Sequence, residues 1–290
     1  MNQDLVLALA LPVTLFCIMF GMGSSLTPAN FRLLLQAPAT VFSGIASQML
    51  LLPLLAFALL YNFSLAPEIF IGFMILALSP GGTTSNMFAY LAGGNLALSI
   101  SLTAIVSVLT PFSIPLVAGW LLASKLGSTT AIQLPFMQTL MKLGMVTLLP
   151  VLLGMLLRHF KKSFCIKHEY WLTRVPLIML LLVIAGIIHQ NWKNMPAFIE
   201  QTGLPALLLA SLSLLIGYLF ARSLKQNKSD SRTIAIETSI QNGGTAILIT
   251  GTILHNPAMT IAPVMYGILM LIPVFLYLLV LKITRPLYAQ

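Results

Sequence analysis

The chain has 290 residues, of which 58% are hydrophobic and only 7% charged. A soluble globular protein is about 25% charged, so these charges are far too few to clothe a water-facing surface. The net charge of +9 does not point to nucleic acid, because the basic residues fall in short loops between apolar runs. Runs of roughly 20 apolar residues recur along the whole length and predict an all-α, polytopic membrane protein. Residues 1–290 read as a single transmembrane domain.

Nine helices are predicted, near 4–22, 36–61, 67–92, 95–122, 131–158, 173–190, 203–223, 231–255 and 260–283. The first follows Met1–Asp4 without a basic segment and is about as long as a full span. It reads as a mature helix rather than a signal peptide. The second carries Gln48 in "IASQMLLLPLL"; an isolated Gln in a span is often a hydrogen-bonding link between helices. Pro53, Pro111, Pro115, Pro150 and Pro273 fall inside predicted spans. Neighbouring helices and water re-satisfy the backbone groups that such prolines free.

The third span is interrupted: "ALSPGGTTSNMFAYLAGGN". Pro80 disfavours helical geometry at Ser79 and removes a donor, and Gly81 and Gly82 weaken the helix further. Thr83, Thr84, Ser85 and Asn86 then open a second half-helix. Unwound backbone at that depth persists only where protein or a wet cavity surrounds it. The fourth span places Ser99 and Thr103 on one face. Each hydroxyl has a blander use, a bond to its own preceding turn.

The eighth span holds "TIAIETSIQNGGTAILITGTIL". Asp4, Glu68, Glu169, Glu200 and Asp230 sit in loops or at span ends, and Glu237 is the one carboxylate placed within a span. At a helix centre a carboxylate costs roughly 2.5–3.5 kcal/mol on insertion scales. Snorkelling, or a pair with Arg232, is the bland reading, but Gln241, Asn242, Gly243 and Gly244 carry the polar zone deeper. Gly81-Gly82-Thr83 and Gly243-Gly244-Thr245 mark corresponding breaks in two antiparallel helices, an inverted-repeat signature. Helix 8 is fourth in a repeat made of helices 5–9. Helix 3 is fourth only if the first repeat lacks its opening helix, which implies a ten-helix plan with one absent.

The loops after helices 1, 3, 5 and 7 and the C-terminal tail hold twelve basic residues, against Lys125 and Lys193 on the other side. The positive-inside rule puts the N-terminus outside and the C-terminus in the cytoplasm, in a plasma (inner) membrane. Cys17 and Cys165 make neither a disulfide framework nor a metal motif. "HEYWL" at 168–172 lacks the second His of a zinc protease, and no Gly-x-Ser-x-Gly elbow occurs, so no enzyme is expected. One carboxylate among neutral oxygens suits Na⁺, with H⁺ coupling or a channel as the alternatives. No cofactor is expected beyond a coupling ion.

"SPGGTTSNMFAYLAGGNLALSISLTAI", "ETSIQNGGTAI" and "MFGMGSSLTPANFR" resemble segments of the bile acid:sodium symporter family. The resemblance implies core helices about 36–125 and 203–284 and panel helices about 4–32 and 131–190, with the two broken helices crossing. It implies a first sodium site from Ser85, Asn86, Ser99, Thr103 and Glu237. A second is implied from Gln48, Glu237, Gln241 and the backbone carbonyls of Thr238 and Ile240. Substrate, an organic anion such as a bile acid or a smaller carboxylate, would lie against Thr83, Thr84 and Asn242, with Pro80, Gly81, Gly82, Gly243 and Gly244 as the broken-helix hinges. Ser239 departs from the family pattern, which has glycine there.

Overall fold

The computed structural model describes residues 10–28, 35–126, 136–190 and 192–284. Among them every regular element is helical. Helix α1 is Leu11–Ser25, and α2 spans Pro38–Leu60. The interrupted third segment is α3, Pro67–Ala77, followed by α4, Thr83–Leu91. Helix α5 is Leu96–Leu126. Helix α6 runs through Phe136–Leu143, Gly144–Leu148 and Leu149–Phe160. Helices α7, Lys162–Gln190, and α8, Met195–Ser223, follow. The second interrupted segment is α9, Lys228–Ser239, then α10, Gly243–Ile247, which continues as a wider turn over Leu248–Ile253. Helices α11, Ile261–Leu269, and α12, Leu271–Thr284, close the described chain. Residues 4–9 and 131–135 of the predicted first and fifth spans lie outside the described residues.

Among the described residues, six helices are long and apolar enough to cross a membrane. Their outward faces carry large apolar side chains, such as Leu116, Leu182 and Phe275, each more than half exposed. A contiguous apolar surface of that kind matches lipid, not water. The interior, though mainly apolar, also holds polar groups. Ser85, Ser99, Thr103, Glu237 and Gln241 are all buried, and α9 from Thr233 to Ser239 is buried on every side. A polar helix fits a bilayer only when other helices wrap it.

Helix α1 packs chiefly against α6 and α7, while α8 packs against α9 and α11. The α1–α6 contact depends on two glycines. A Cβ on Gly23 would lie 2.2 Å from the Val151 carbonyl oxygen, and one on Gly154 would lie 2.3 Å from that of Phe20. Small residues let membrane helices approach this closely.

Two helices widen just before a proline. The π turn Ser47–Leu51 precedes Pro53, and Gly144–Leu148 precedes Pro150. In each, one backbone bond skips to the fifth residue back, from Leu52 N–H to Ser47 and from Leu149 N–H to Gly144. The wider turn accommodates the ring that would otherwise strike the preceding carbonyls.

Helix α7 begins at Lys162, well before the predicted 173, so the basic segment is helical rather than a loop. Side chains one turn apart support it: Phe164 stacks on His168 and Arg174 lies over the Tyr170 ring. Helix α8 likewise begins at Met195 rather than 203, with Pro196 in its first turn.

Candidate functional site

Two unwound segments meet inside the molecule. Residues 78–82 separate α3 from α4, and 240–242 separate α9 from α10. They are joined by a backbone hydrogen bond from Asn242 N–H to the Pro80 carbonyl, 2.8 Å. Pro80, Gly81 and Gly82 lie in the first break, as their chemistry predicts. The second pair requires a correction: Gly243 and Gly244 form the first turn of α10 rather than the break itself. Asn242 is the reason. Its Oδ1 accepts from Thr245 N–H at 3.2 Å, so helix resumes at once.

Glu237, at the end of α9, is 1% exposed and faces α4 and α5. Its Oε1 lies 2.8 Å from Ser85 Oγ and 2.5 Å from Ser99 Oγ, and its Oε2 lies 2.9 Å from Thr103 Oγ1. Asn86 Oδ1 lies 2.8 Å from Ser99 Oγ and 3.3 Å from Thr103 Oγ1. Ser85 Oγ also sits 2.7 Å from the Gly82 carbonyl. All five residues expected at the first site are therefore in contact. Arg232 takes no part; its Nη1 donates to the Ala92 carbonyl.

The two uses open to a span hydroxyl are both present on α5. Ser101, Ser107 and Thr110 donate to the carbonyl one turn back. Ser99 and Thr103 instead turn to Asn86 and Glu237.

The cluster gathers a carboxylate, three hydroxyls and an amide at hydrogen-bonding distance, and the Asn86 amide N–H₂ or oxygen can face Ser99 and Thr103. Such a cluster is electron-rich, and its chemistry is that of a cage for a hard cation.

A second set adjoins it. Gln241 Nε2 donates to the Glu237 and Thr238 carbonyls, both at 3.0 Å. Gln48, at the π turn of α2, approaches Gln241 Oε1 at 3.5 Å, and its own Oε1 is a buried acceptor without a hydrogen bond. Ile240 is extended, and its carbonyl takes no part in the hydrogen bonds of this set. Ser239 points away: its Oγ donates to the Ala210 carbonyl on α8, and its own carbonyl accepts from Tyr266 on α11. The hydroxymethyl group therefore does not enter the second set.

The sequence did not single out Ser47, whose Oγ lies 2.7 Å from Thr238 Oγ1. It also missed the staple that ties α5 to α9. Asn95 donates from its side chain to Asp230 at 2.8 Å and from its backbone to Thr233 Oγ1 at 2.7 Å. The signal for Ser47 is the proline six residues on, because π turns gather at functional sites. Among the described residues no His, Cys, Asp and Glu group has the makings of a metal site.

A cavity of about 280 Å³ borders the crossing, with Thr84, Gln241 and Asn242 on one wall and Leu180 and Ile184 of α7 opposite. Thr84 and Asn242 both line this cavity, while the Thr83 side chain lies outside the described residues.

The model of the sodium bile acid symporter family matches residues 12–198. That span takes in α1 to α7 with the first break, and ends before α9. The chain is 32% identical to the "uncharacterized sodium-dependent transporter YocS" of Bacillus subtilis (strain 168) over 243 residues, 80% of this chain and 71% of that one. It is 32% identical to the "probable sodium/metabolite cotransporter BASS1, chloroplastic" of Arabidopsis thaliana, over 84% of this chain and 60% of that one. It is 30% identical to the "ileal sodium/bile acid cotransporter" of Oryctolagus cuniculus, over 82% of this chain and 68% of that one. An all-helical, lipid-facing chain with crossed broken helices and these relatives belongs to the sodium bile acid symporter family.

Proposed function

We propose that the chain is a sodium-coupled secondary transporter that imports an organic anion by alternating access. The buried Glu237 carboxylate, ringed by the hydroxyls of Ser85, Ser99 and Thr103, carries the reading. Its charge lies among neutral oxygens, and a monovalent hard cation would neutralise it there. Ser85, Asn86, Ser99, Thr103 and Glu237 then form the first sodium site. Gln48, Glu237, Gln241 and the Thr238 and Ile240 carbonyls form the second. The unpartnered Gln48 Oε1 is the acceptor a cation there would take up. A cation at that site would also displace the Gln241 amide from the carbonyls it now caps.

Glu237 would serve both ions, which explains how one carboxylate suffices. Two Na⁺ with one monovalent anion carry one net positive charge inward. At 100 mV that charge supplies about 2.3 kcal/mol. Two tenfold sodium gradients add about 2.8 kcal/mol. The total, about 5 kcal/mol, supports a several-thousandfold solute gradient. Helices α2–α5 and α8–α12 would form the core that carries both breaks, with α1, α6 and α7 as the panel against which it rocks. The scheme is a five-helix inverted repeat whose first member is absent, nine spans in all. The basic loops set the C-terminus in the cytoplasm and the N-terminus outside, in the plasma membrane.

The names of the relatives, a sodium-dependent transporter and cotransporters of sodium with metabolites or bile acids, support this coupling. Uptake into proteoliposomes tests it. An inward sodium gradient is expected to accumulate an organic anion above its external concentration, and a potassium gradient is not. Accumulation driven by a pH gradient without sodium would favour proton coupling. Simple equilibration would favour a channel.

A further inference from the structure

The cavity at the crossing gathers its polar groups at one place. Its polar side chains, Thr84, Gln241 and Asn242, share one wall. Asn242 spends its oxygen on capping α10, so its amide N–H₂ remains for a ligand, and that group only donates. Gln241 spends its own amide on backbone carbonyls. The remaining walls are largely hydrocarbon, including Ile18 of α1, Met87 of α4, Leu181 of α7 and Met270 between α11 and α12, and among the described residues no Lys, Arg or His lines the space. A second carboxylate, or a body studded with hydroxyls, would face these hydrocarbon walls without a side-chain partner, which disfavours it. A single carboxylate at the Asn242 wall with an aliphatic body meets no such penalty.

The space also has a size. An engineered apolar cavity of roughly 150 Å³ holds benzene. In proportion, about 280 Å³ takes a ligand of about a dozen non-hydrogen atoms.

One residue of the wall stands out. Pro263, Gly267, Met270 and Leu271 share one face of α11–α12, and all line the cavity. Gly267 sits at the centre of that face, in mid-helix, where glycine costs about 1 kcal/mol relative to alanine. Gly23 and Gly154 admit a neighbouring backbone. Gly267, like Gly119, Gly144 and Gly186, does not, since a Cβ there would meet nothing within 4 Å, but of these only Gly267 lines this cavity. What its missing side chain leaves open is cavity.

We propose that the transported anion is a monocarboxylate with a compact aliphatic body, and that Gly267 sets the length of body admitted. The proposal rests on the transport reading above. Thermal unfolding of the purified full chain is measured with butanoate, hexanoate, octanoate, decanoate, octanedioate and cholate, each with and without sodium. Wild type is expected to show sodium-linked stabilisation by the shorter monocarboxylates and none by octanedioate. Gly267→Ala and Gly267→Leu are expected to move the cut-off to shorter chains. The longest acid that wild type admits should weaken at least tenfold, and butanoate by no more than about twofold. An unchanged length profile in both variants, or a wild-type preference for octanedioate or cholate, would overturn the proposal. Sodium alone is titrated in every sample. Loss of the sodium shift in wild type sinks the transport reading, whereas a retained sodium shift with no dependence on chain length sinks only this inference. If Gly267→Leu does not fold, Gly267→Ala, whose methyl group meets open space, carries the test.

Discussion

Thr103→Val isolates one oxygen of the proposed first sodium site. The swap keeps the branched shape and replaces a hydroxyl by a methyl group. The hydroxyl lies 2.9 Å from Glu237 Oε2 and 3.3 Å from Asn86 Oδ1, and it is buried. A hydrogen bond to a charged group contributes about 1.5–3 kcal/mol. If sodium takes the same oxygen, loss of that ligand is of similar size, which corresponds to roughly a 10- to 150-fold higher sodium midpoint. The assay is a sodium titration of thermal stability, repeated on sodium-driven uptake. Thr103→Ser keeps the oxygen and should stay within a few-fold of wild type. Thr110→Val is the control, since that hydroxyl only bonds the Val106 carbonyl on its own helix. A sodium midpoint unchanged in Thr103→Val, or shifted equally by Thr110→Val, would refute the placement of sodium at this oxygen.

Gly81→Ala is expected to raise the sodium midpoint at least tenfold, a loss of about 1.4 kcal/mol in binding, because its Cβ would fall 2.5 Å from Glu237 Oε2 and displace the carboxylate. The sodium titration of thermal stability reads it directly. Ser239→Gly restores the residue of the resembled pattern. It should lower thermal stability by about 1–2 kcal/mol, from one hydrogen bond and a glycine in a helical turn. The sodium midpoint should hardly move, because Ser239 Oγ faces Ala210 rather than the site. Gly154→Ala drives a methyl group into the backbone of α1, and overpacking of that kind costs about 1–3 kcal/mol or more. A lower melting temperature in detergent, with sodium affinity kept in the folded fraction, is the expected result.

Much of this was legible because bilayers punish exceptions. Glu237 and the proline and glycines at 80–82 are costly in hydrocarbon, so their presence marks a site. Glu237 lies in contact with Ser85, Ser99 and Thr103, and Asn86 joins them through Ser99 and Thr103. Local propensity could not show where helix resumes after the second break. Two glycines read as a weak point, yet the Asn242 cap makes them a first turn. Nor could it separate Ser99 from Ser101 on the same helix, since both are small hydroxyls and only the neighbour across the fold differs. The early start of α7 was hidden because basic residues were read as loop. They sit instead on helical turns, most of them exposed, that continue the span. Ser47 escaped because the π turn before Pro53 breaks the period on which a sequence reading relies.

The central claim is that one carboxylate holds two sodium ions. Calorimetric titration of sodium into the purified protein, in wild type, Glu237→Gln and Glu237→Ala, tests it most directly. Wild type should bind two ions per chain. Both substitutions should abolish both ions together while the protein stays folded, since Glu237→Gln keeps the size and the hydrogen-bonding shape and removes the charge. Retention of one sodium ion at wild-type affinity in either variant would contradict the shared carboxylate.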